Sequence, residues 1–211
     1  MTARRSVIRR AAAVAAAATA AVVLAACGGG ADSPAGHEGH RSTSPNASAS
    51  ASAGQGAHNA ADVSFAEGMI PHHRQAVEMA ALAETRAASA EVKKLAEEIR
   101  KAQDPEIRTL SGWLTSWGEE VPAEDGSEEH AGHSMAGMMT PDEMEKLEKS
   151  SGTAFDTAFL EMMVEHHEGA VAMAKTEQAE GAYQPATDMA GTIVTSQSAE
   201  ITRMNELLGK G

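Results

Sequence analysis

The sequence predicts an all-α fold, a four-helix bundle built from two repeated helical hairpins and preceded by a signal peptide and a disordered tether. Two observations support this prediction. From Asp62 onward, apolar residues recur at helical spacing, without the alternating stretches that are typical of strands. Residues 65–114 also align without a gap to residues 159–208. One hairpin therefore occurs twice, and two hairpins are sufficient for one bundle.

Residues 1–26 have the features of a signal peptide. Four arginines lie in the first ten residues, and an apolar run follows from Ala11 to Ala26. The run leads into LAAC, which is similar to a bacterial lipobox, and Cys27 is the only cysteine in the chain. We therefore expect Cys27 to carry a lipid that anchors the exported protein to the outer face of the cell membrane. The Arg4-Arg5 pair also permits the twin-arginine export route, so the route stays open.

Residues 27–61 are rich in glycine, serine and alanine and have almost no large apolar side chain, which predicts a flexible tether. Removal of residues 1–26 takes away four arginines and no acidic residue, so the formal net charge falls from −13 to −17. A protein with that charge is not expected to bind nucleic acid. Its attachment to a membrane would come from lipid rather than from basic residues.

The remaining domain, residues 62–211, begins with repeat one, residues 62–117. Ser64 and Glu67 have the spacing of a capping box, so we expect a first helix to start there and to run to about Ala88. A second helix is predicted over residues 90–117. Pro105 lies inside it, where a proline should kink or divide a helix.

A connection, residues 118–152, and repeat two, residues 153–209, complete the domain. In the connection, Thr140, Pro141 and Glu143 occupy the preferred positions at the start of a helix, which predicts a short helix to about Lys149. In repeat two, the periodicity predicts a third long helix over residues 153–181 and a fourth over residues 185–208.

The feature that points to function is a repeated motif. MIPHHRQAVEMA, residues 69–80, returns 94 residues later as MVEHHEGAVAMA, residues 163–174. Residues three and four apart share a helix face, so Met69 and Met163 each lie one turn before a pair of histidines. If the hairpins pack about a pseudo-two-fold axis, the two pairs converge. The candidate metal ligands are Met69, His72, His73, Met79, Met163, His166, His167 and Met173.

The types of ligand favour copper. A di-iron bundle uses Glu-x-x-His, whereas this chain has Met-x-x-His in both repeats, and a thioether is a poor ligand for ferric iron. Imidazole and thioether together suit Cu(I), with Cu(II) and Ag(I) left open, whereas zinc gains nothing from methionine. Buried histidines in a hydrogen-bond network are the alternative. For Met79 and Met173 alone, ordinary core packing is the favoured interpretation.

Several residues near the motif have more than one interpretation. Pro71 has Glu165 as its counterpart, and we expect it to kink the first helix beside the histidines rather than to start that helix. Four glutamates could orient ligating imidazoles, or could simply be solvated surface charges. These four are Glu67, Glu161, Glu165 and Glu168.

A second candidate site lies in the connection, in the sequence HAGHSMAGMM. It has two histidines and three methionines within ten residues and could bind Cu(I) or Ag(I) without a preformed cage. A flexible loop with no other role is an equally good interpretation. The residues concerned are His130, His133, Met135, Met138 and Met139.

The doubled M-x-x-HH-x-x-AV-x-MA hairpin, with its methionine-rich connection and export signal, resembles the bacterial domain of unknown function 305 family over residues 62–208. The resemblance implies a ferritin-like four-helix bundle that is often secreted or attached to a membrane. It also implies a link to copper, since some members are associated with copper binding and resistance. The positions carried over are Met69, His72, His73, Met163, His166 and His167, followed by Met79 and Met173.

The leading functional hypothesis is a lipid-anchored binding protein that holds copper for storage, buffering or resistance. The sequence has no nucleophile paired with a base and no glycine-rich loop for phosphate, so we do not expect an enzyme of those kinds. Two alternatives stay open. One is a metal-dependent redox enzyme that uses the same residues, and the other is a structural or interaction lipoprotein without metal.

Overall fold

A computed structural model of the chain describes residues 56–124 and 136–210. These residues form five helices and no strand, which confirms the all-α prediction. The helices are α1 (Ala60–Arg86), α2 (Ala90–Trp117), α3 (Pro141–Lys149), α4 (Gly152–Glu180) and α5 (Gln184–Leu207). The predicted signal peptide, Cys27, most of the tether, His130, His133 and Met135 lie outside the described residues.

The four long helices form two hairpins that pack together as a bundle. α1 packs against α2, α4 packs against α5, and the hairpins meet along α1 and α4. Arg203 of α5 also pairs with Glu98 of α2. The short helix α3 touches α1 and α4. Within the described parts of the chain, no helix is long and apolar enough to cross a membrane.

α1 begins one turn earlier than the sequence predicts. The side chain of Asn59 accepts hydrogen bonds from the backbone N–H groups of Ala61, at 2.8 Å, and Asp62, at 3.2 Å. In return, the Asp62 carboxylate accepts from the Asn59 N–H at 2.6 Å. The predicted capping box at Ser64 and Glu67 is therefore wrong, because the same reciprocal arrangement forms five residues upstream and leaves both residues within the helix.

The other local predictions have mixed outcomes. α1 continues through Pro71 and α2 through Pro105, so neither proline divides its helix. The predicted start of α3 is confirmed, because Thr140 Oγ1 accepts from the Glu143 N–H at 3.3 Å and Glu143 Oε2 accepts from the Thr140 N–H at 2.8 Å.

Two buried aspartates at equivalent positions join the hairpins. Asp62, in α1, accepts hydrogen bonds from the N–H groups of Ala182, at 3.2 Å, and Tyr183, at 2.9 Å, just before α5. Its counterpart Asp156, in α4, accepts from Ala88, at 3.1 Å, and Ser89, at 2.9 Å, just before α2. Each hairpin thus supplies an anionic acceptor for the turn of the other, where backbone donors are free to bond.

The apolar core is divided into two clusters. One contains Met79, Leu95, Ile99, Phe155, Phe159 and Met163 among others. The other contains Phe65, Met69, Ile70, Leu110, Leu114 and Ile193 among others. Each large apolar side chain stabilises the fold by about 2 kcal/mol on leaving water. Four histidines separate the clusters along α1 and α4, which run antiparallel. We call His72, His73, His166 and His167 the histidine layer.

Candidate metal centre

The histidine layer lies where the two hairpins meet. α1 provides His72 and His73, α4 provides His166 and His167, and all four residues are fully buried. The ring centroids of His72 and His166 are 3.8 Å apart, and the ring planes are inclined by 44°. Since residues 72 and 166 occupy the same position in the two repeats, the pseudo-two-fold axis passes between these rings.

Two glutamates orient the other two rings. Nε2 of His73 lies 2.7 Å from Oε2 of Glu106 in α2, and Nε2 of His167 lies 2.6 Å from Oε2 of Glu200 in α5. A carboxylate can only accept, so each imidazole donates its Nε2–H. In the neutral ring, donation from Nε2 puts the lone pair on Nδ1, where a metal can bind, as is common in carboxylate–histidine–metal arrangements.

Sequence reasoning missed the role of Glu106 and Glu200. It considered instead four glutamates close to the motif, all of which are exposed: Glu67, Glu161, Glu165 and Glu168. A signal was nevertheless present, because Glu106 and Glu200 are identical in the two repeats and each follows the second histidine of its pair by 33 residues. Only the packing of α2 on α1 and of α5 on α4 converts that spacing into a contact.

The histidine layer contains buried nitrogen atoms without a hydrogen-bond partner. They are Nδ1 of all four histidines and Nε2 of His166. Burial lowers the pKa of His72 to about 3 and lowers the pKa of His166 well below its ordinary value. These two rings are therefore neutral near pH 7 and keep their lone pairs. Buried polar atoms normally find partners, and a neutral imidazole has one lone pair and one N–H. The unpartnered nitrogens of His72 and His166 therefore include one lone pair on each ring, which fits a group that accepts imidazole lone pairs.

The methionines of the motif lie above and below the histidine layer. Met69, Met79 and Met163 are fully buried, whereas Met173 is half-buried. Met69 belongs to one apolar cluster, and Met79 and Met163 belong to the other. Within residues 56–124 and 136–210, no three His, Cys, Asp or Glu side chains are grouped so as to hold a metal ion. A metal at this level would therefore need thioether beside imidazole, a donor set that suits a soft cation.

The end of the connection crosses the histidine layer. We call residues Ala136–Met139 the crossing segment. The Ala136 carbonyl accepts a hydrogen bond from Nε2 of His72 at 3.3 Å. The segment also presses on α4, because a Cβ added to Gly169 would lie 2.0 Å from the Ala136 oxygen. Two residues of the second candidate site, the half-buried Met138 and the buried Met139, therefore lie on the segment that crosses the histidine layer.

Comparisons with known proteins identify relatives over the helical domain. The family profile described as Domain of unknown function (DUF305) matches residues 62–208. A DUF305 protein from Streptomyces coelicolor has a solved structure with 35% identity and a TM-score of 0.64, covering 71% of this chain and 93% of that one. A DUF305 fragment from Deinococcus radiodurans has 32% identity and a TM-score of 0.64, covering 75% of this chain and 100% of that one.

A third solved structure is that of CopM in the Cu(I)-bound form. It has 32% identity and a TM-score of 0.58, with 69% of this chain and 94% of that one covered. CopM is also known in Cu(II)-bound, Ag-bound and apo forms. No curated protein sequence matches this chain.

Proposed function

The chain belongs to the DUF305 family, and from that premise we propose that it is an exported copper-binding protein which holds Cu(I) in the histidine layer. Cu(II) and Ag(I) are further ions that this layer could accept. The protein would serve to store or buffer the metal and so to protect the cell envelope from it. CopM, which is similar in sequence and fold, is known in copper-bound and silver-bound forms, and this supports the proposal.

The observation that carries the proposal is the set of five buried, unpartnered imidazole nitrogens between the two repeats. Leaving such atoms without partners costs about 1–3 kcal/mol each, and a bound cation would satisfy one nitrogen on each ring that it contacts. We propose that the ligands are drawn from His72, His166 and Nδ1 of His73 and His167, the last two oriented by Glu106 and Glu200. No three of these imidazoles surround one point in the described residues, so sulfur has to take part. The sulfur atoms of Met69 and Met163 complete the proposed set, and Met79 and Met173 lie further along the same helices.

The preference for Cu(I) follows from the chemistry of these donors. Neutral imidazole and thioether bind soft cations well, and the site lies in an apolar interior that favours a low charge. When bound, the ion would link α1 to α4 at the centre of the bundle. The chain's own contribution is to hold the His72 and His166 rings neutral, to orient His73 and His167 through Glu106 and Glu200, and to exclude water with the apolar clusters on either side.

Cu(I) competition titration of the full chain tests this function. The wild-type protein should take Cu(I) from a chelator of moderate affinity, and a variant with all four layer histidines changed to alanine should not. His58→Ala is a matched control, because His58 is exposed and lies outside the layer. Circular dichroism would show that each variant stays helical. Equal affinity in the wild-type protein and the fourfold variant would overturn the proposed site.

We also propose that the protein is anchored to the outer face of the membrane by a lipid on Cys27. The lipobox-like LAAC sequence and the absence of any other cysteine in the full sequence support this. Fractionation of cells that express the wild-type chain and a Cys27→Ala variant tests it. The wild-type protein should sediment with membranes, and the variant should not. Equal distribution of the two proteins would contradict the lipid anchor.

A further inference from the structure

The crossing segment is held at two equivalent positions of the two repeats. Residues 75 and 169 are 94 apart, and the chain places glutamine at one and glycine at the other. The Gln75 amide donates to the Met139 carbonyl at 2.9 Å and accepts from the Met139 N–H at 2.7 Å. At Gly169 the contact is backbone against backbone, and a Cβ there would also lie 2.9 Å from the Gly137 Cα. The segment therefore spans the seam between α1 and α4.

This segment reaches the histidine layer directly. The described residues that hydrogen-bond to ring nitrogens of the layer are Glu106, Glu200 and Ala136, and only Ala136 lies outside a helix. Its partner, His72, contacts the ring of His166, whose two ring nitrogens are both buried without a partner. Displacement of the crossing segment would thus open the layer at His72 and His166 without separating any pair of helices.

The crossing segment also provides sulfur at this point. Met139 is buried in one of the apolar clusters, so its side chain contributes to packing. Met138 is half-buried and belongs to neither cluster. Met138 directly follows Gly137, which lies against the His166 carbonyl, so its thioether is carried on backbone that contacts the layer. A half-buried thioether there can bind a soft monovalent cation from solvent, and its weak donor strength allows the cation to leave again.

We propose that the crossing segment is the entry site of the metal, where the Met138 sulfur binds Cu(I) or Ag(I) and passes it to His166. The transfer exchanges one ligand for another: a bond from the metal to sulfur breaks as a bond to an imidazole nitrogen forms. The oxidation state does not change, and no proton leaves because the nitrogen already has a free lone pair. This inference rests on the proposed function of the layer but assigns a separate role to the segment.

Substitution of Met138 tests the role of its sulfur. Met138→Leu keeps the size and removes the donor, and Met144→Leu is the matched control, since Met144 is also half-buried and lies on α3. Transfer of Cu(I) from a coloured chelator to the full chain would be followed by stopped-flow absorbance. We expect Met138→Leu to slow the transfer about threefold or more, with the final affinity within about twofold of wild type. Met144→Leu should change neither.

Substitution of Gln75 tests whether the segment must move. Gln75→Ala removes both hydrogen bonds to Met139, which is enough to raise the opened population by about tenfold. The loading and release rates should therefore rise together and the affinity should change little. Gly169→Ala would displace the segment more strongly, but Gln75→Ala disturbs no close backbone contact and is the safer variant for folding.

The results separate the entry site from the binding site. Wild-type rates in both Met138→Leu and Gln75→Ala would overturn the entry site, even if the chain binds Cu(I) tightly. A large loss of affinity in Met138→Leu would also overturn it, because Met138 would then be a permanent ligand. Failure of the wild-type chain to take Cu(I) from the chelator would instead contradict the proposed function.

Discussion

The rings of His72 and His166 are in contact across the pseudo-two-fold axis, with centroids 3.8 Å apart and planes inclined by 44°. The two repeats therefore share one histidine layer and do not carry two separated histidine pairs. The crossing segment makes them unequal, because it provides a hydrogen-bond acceptor for His72 and none for His166. A function that depends on the layer should thus be sensitive to substitutions in either repeat. The effect should be larger at His166, whose ring nitrogens have no partner within the protein.

A bound soft cation should stabilise the folded protein. A ligand present at 100 times its dissociation constant adds about 2.7 kcal/mol to the free energy of unfolding if it binds only the folded state. We therefore expect Cu(I) or Ag(I) to raise the melting temperature by several degrees, and Zn(II) to raise it less. His166→Ala should lose most of the increase. Scanning fluorimetry with each metal measures this, and an equal increase in His166→Ala would show that the metal binds elsewhere.

Glu106 and Glu200 should control affinity through the rings that they orient. Loss of a carboxylate behind a ligating histidine commonly weakens metal binding by about 10–100-fold. We expect Glu106→Gln and Glu200→Gln each to lower Cu(I) affinity by about tenfold in a competition titration. Glu165→Gln is the matched control, because Glu165 lies next to His166 in sequence but is exposed. Similar affinities in all three variants would show that the carboxylates have no part in binding.

The fold could be predicted because the same hairpin occurs twice in the sequence. A gap-free repeat with helical periodicity leaves few arrangements other than a bundle, and it also predicts that the paired histidines meet. The start of α1 could not be predicted correctly, because Asn59 lies in a segment with the composition of a tether. Two successive pairs, Asn59 with Asp62 and Ser64 with Glu67, both fit a capping box. The tertiary contacts of Asp62 with Ala182 and Tyr183 favour the first.

The surroundings of the histidines were less predictable for a different reason. The contacts of Glu106 and Glu200 depend on how α2 and α5 are rotated about their axes. Apolar periodicity shows only which broad face of a helix is buried and does not fix that rotation. The position of the crossing segment depends on the absence of a side chain at Gly169, the residue of repeat two that corresponds to Gln75 of repeat one. A single glycine in a helix carries no local signal of the backbone that will lie against it.

Asp156 should contribute to the stability of the bundle. Its carboxylate accepts hydrogen bonds from two backbone N–H groups of the other hairpin, and such charge-assisted bonds are stronger than neutral ones. We expect Asp156→Asn to lower the free energy of unfolding by about 1–3 kcal/mol. Urea denaturation measures the change, with Asp142→Asn as the control because Asp142 is exposed on α3. Equal midpoints for the two variants would contradict this role.

A buried carboxyl group in repeat two should make stability depend on pH. Glu177 is 1% exposed and lies beside Asp62, whereas its counterpart in repeat one is Ala83. Burial, together with the neighbouring Asp62 carboxylate, raises the pKa of Glu177 to about 8. Burial alone would also raise the pKa of Asp62, but hydrogen bonds from the backbone of Asn59, Tyr183 and Ala182 outweigh it and hold that pKa below its ordinary value. At neutral pH the pair therefore holds one proton, on Glu177.

The sign of the pH effect follows from this proton. In the unfolded chain Glu177 titrates near pH 4.5, so between about pH 4.5 and 8 the folded protein binds a proton that the unfolded chain has released. The free energy of unfolding should fall as the pH rises through that range, by on the order of a few kcal/mol. Glu177→Gln keeps the shape and removes the titration, so its stability should vary much less over the range. Urea midpoints at several pH values measure this, with the exposed Glu180→Gln as control, and parallel curves for wild type and Glu177→Gln would disprove it.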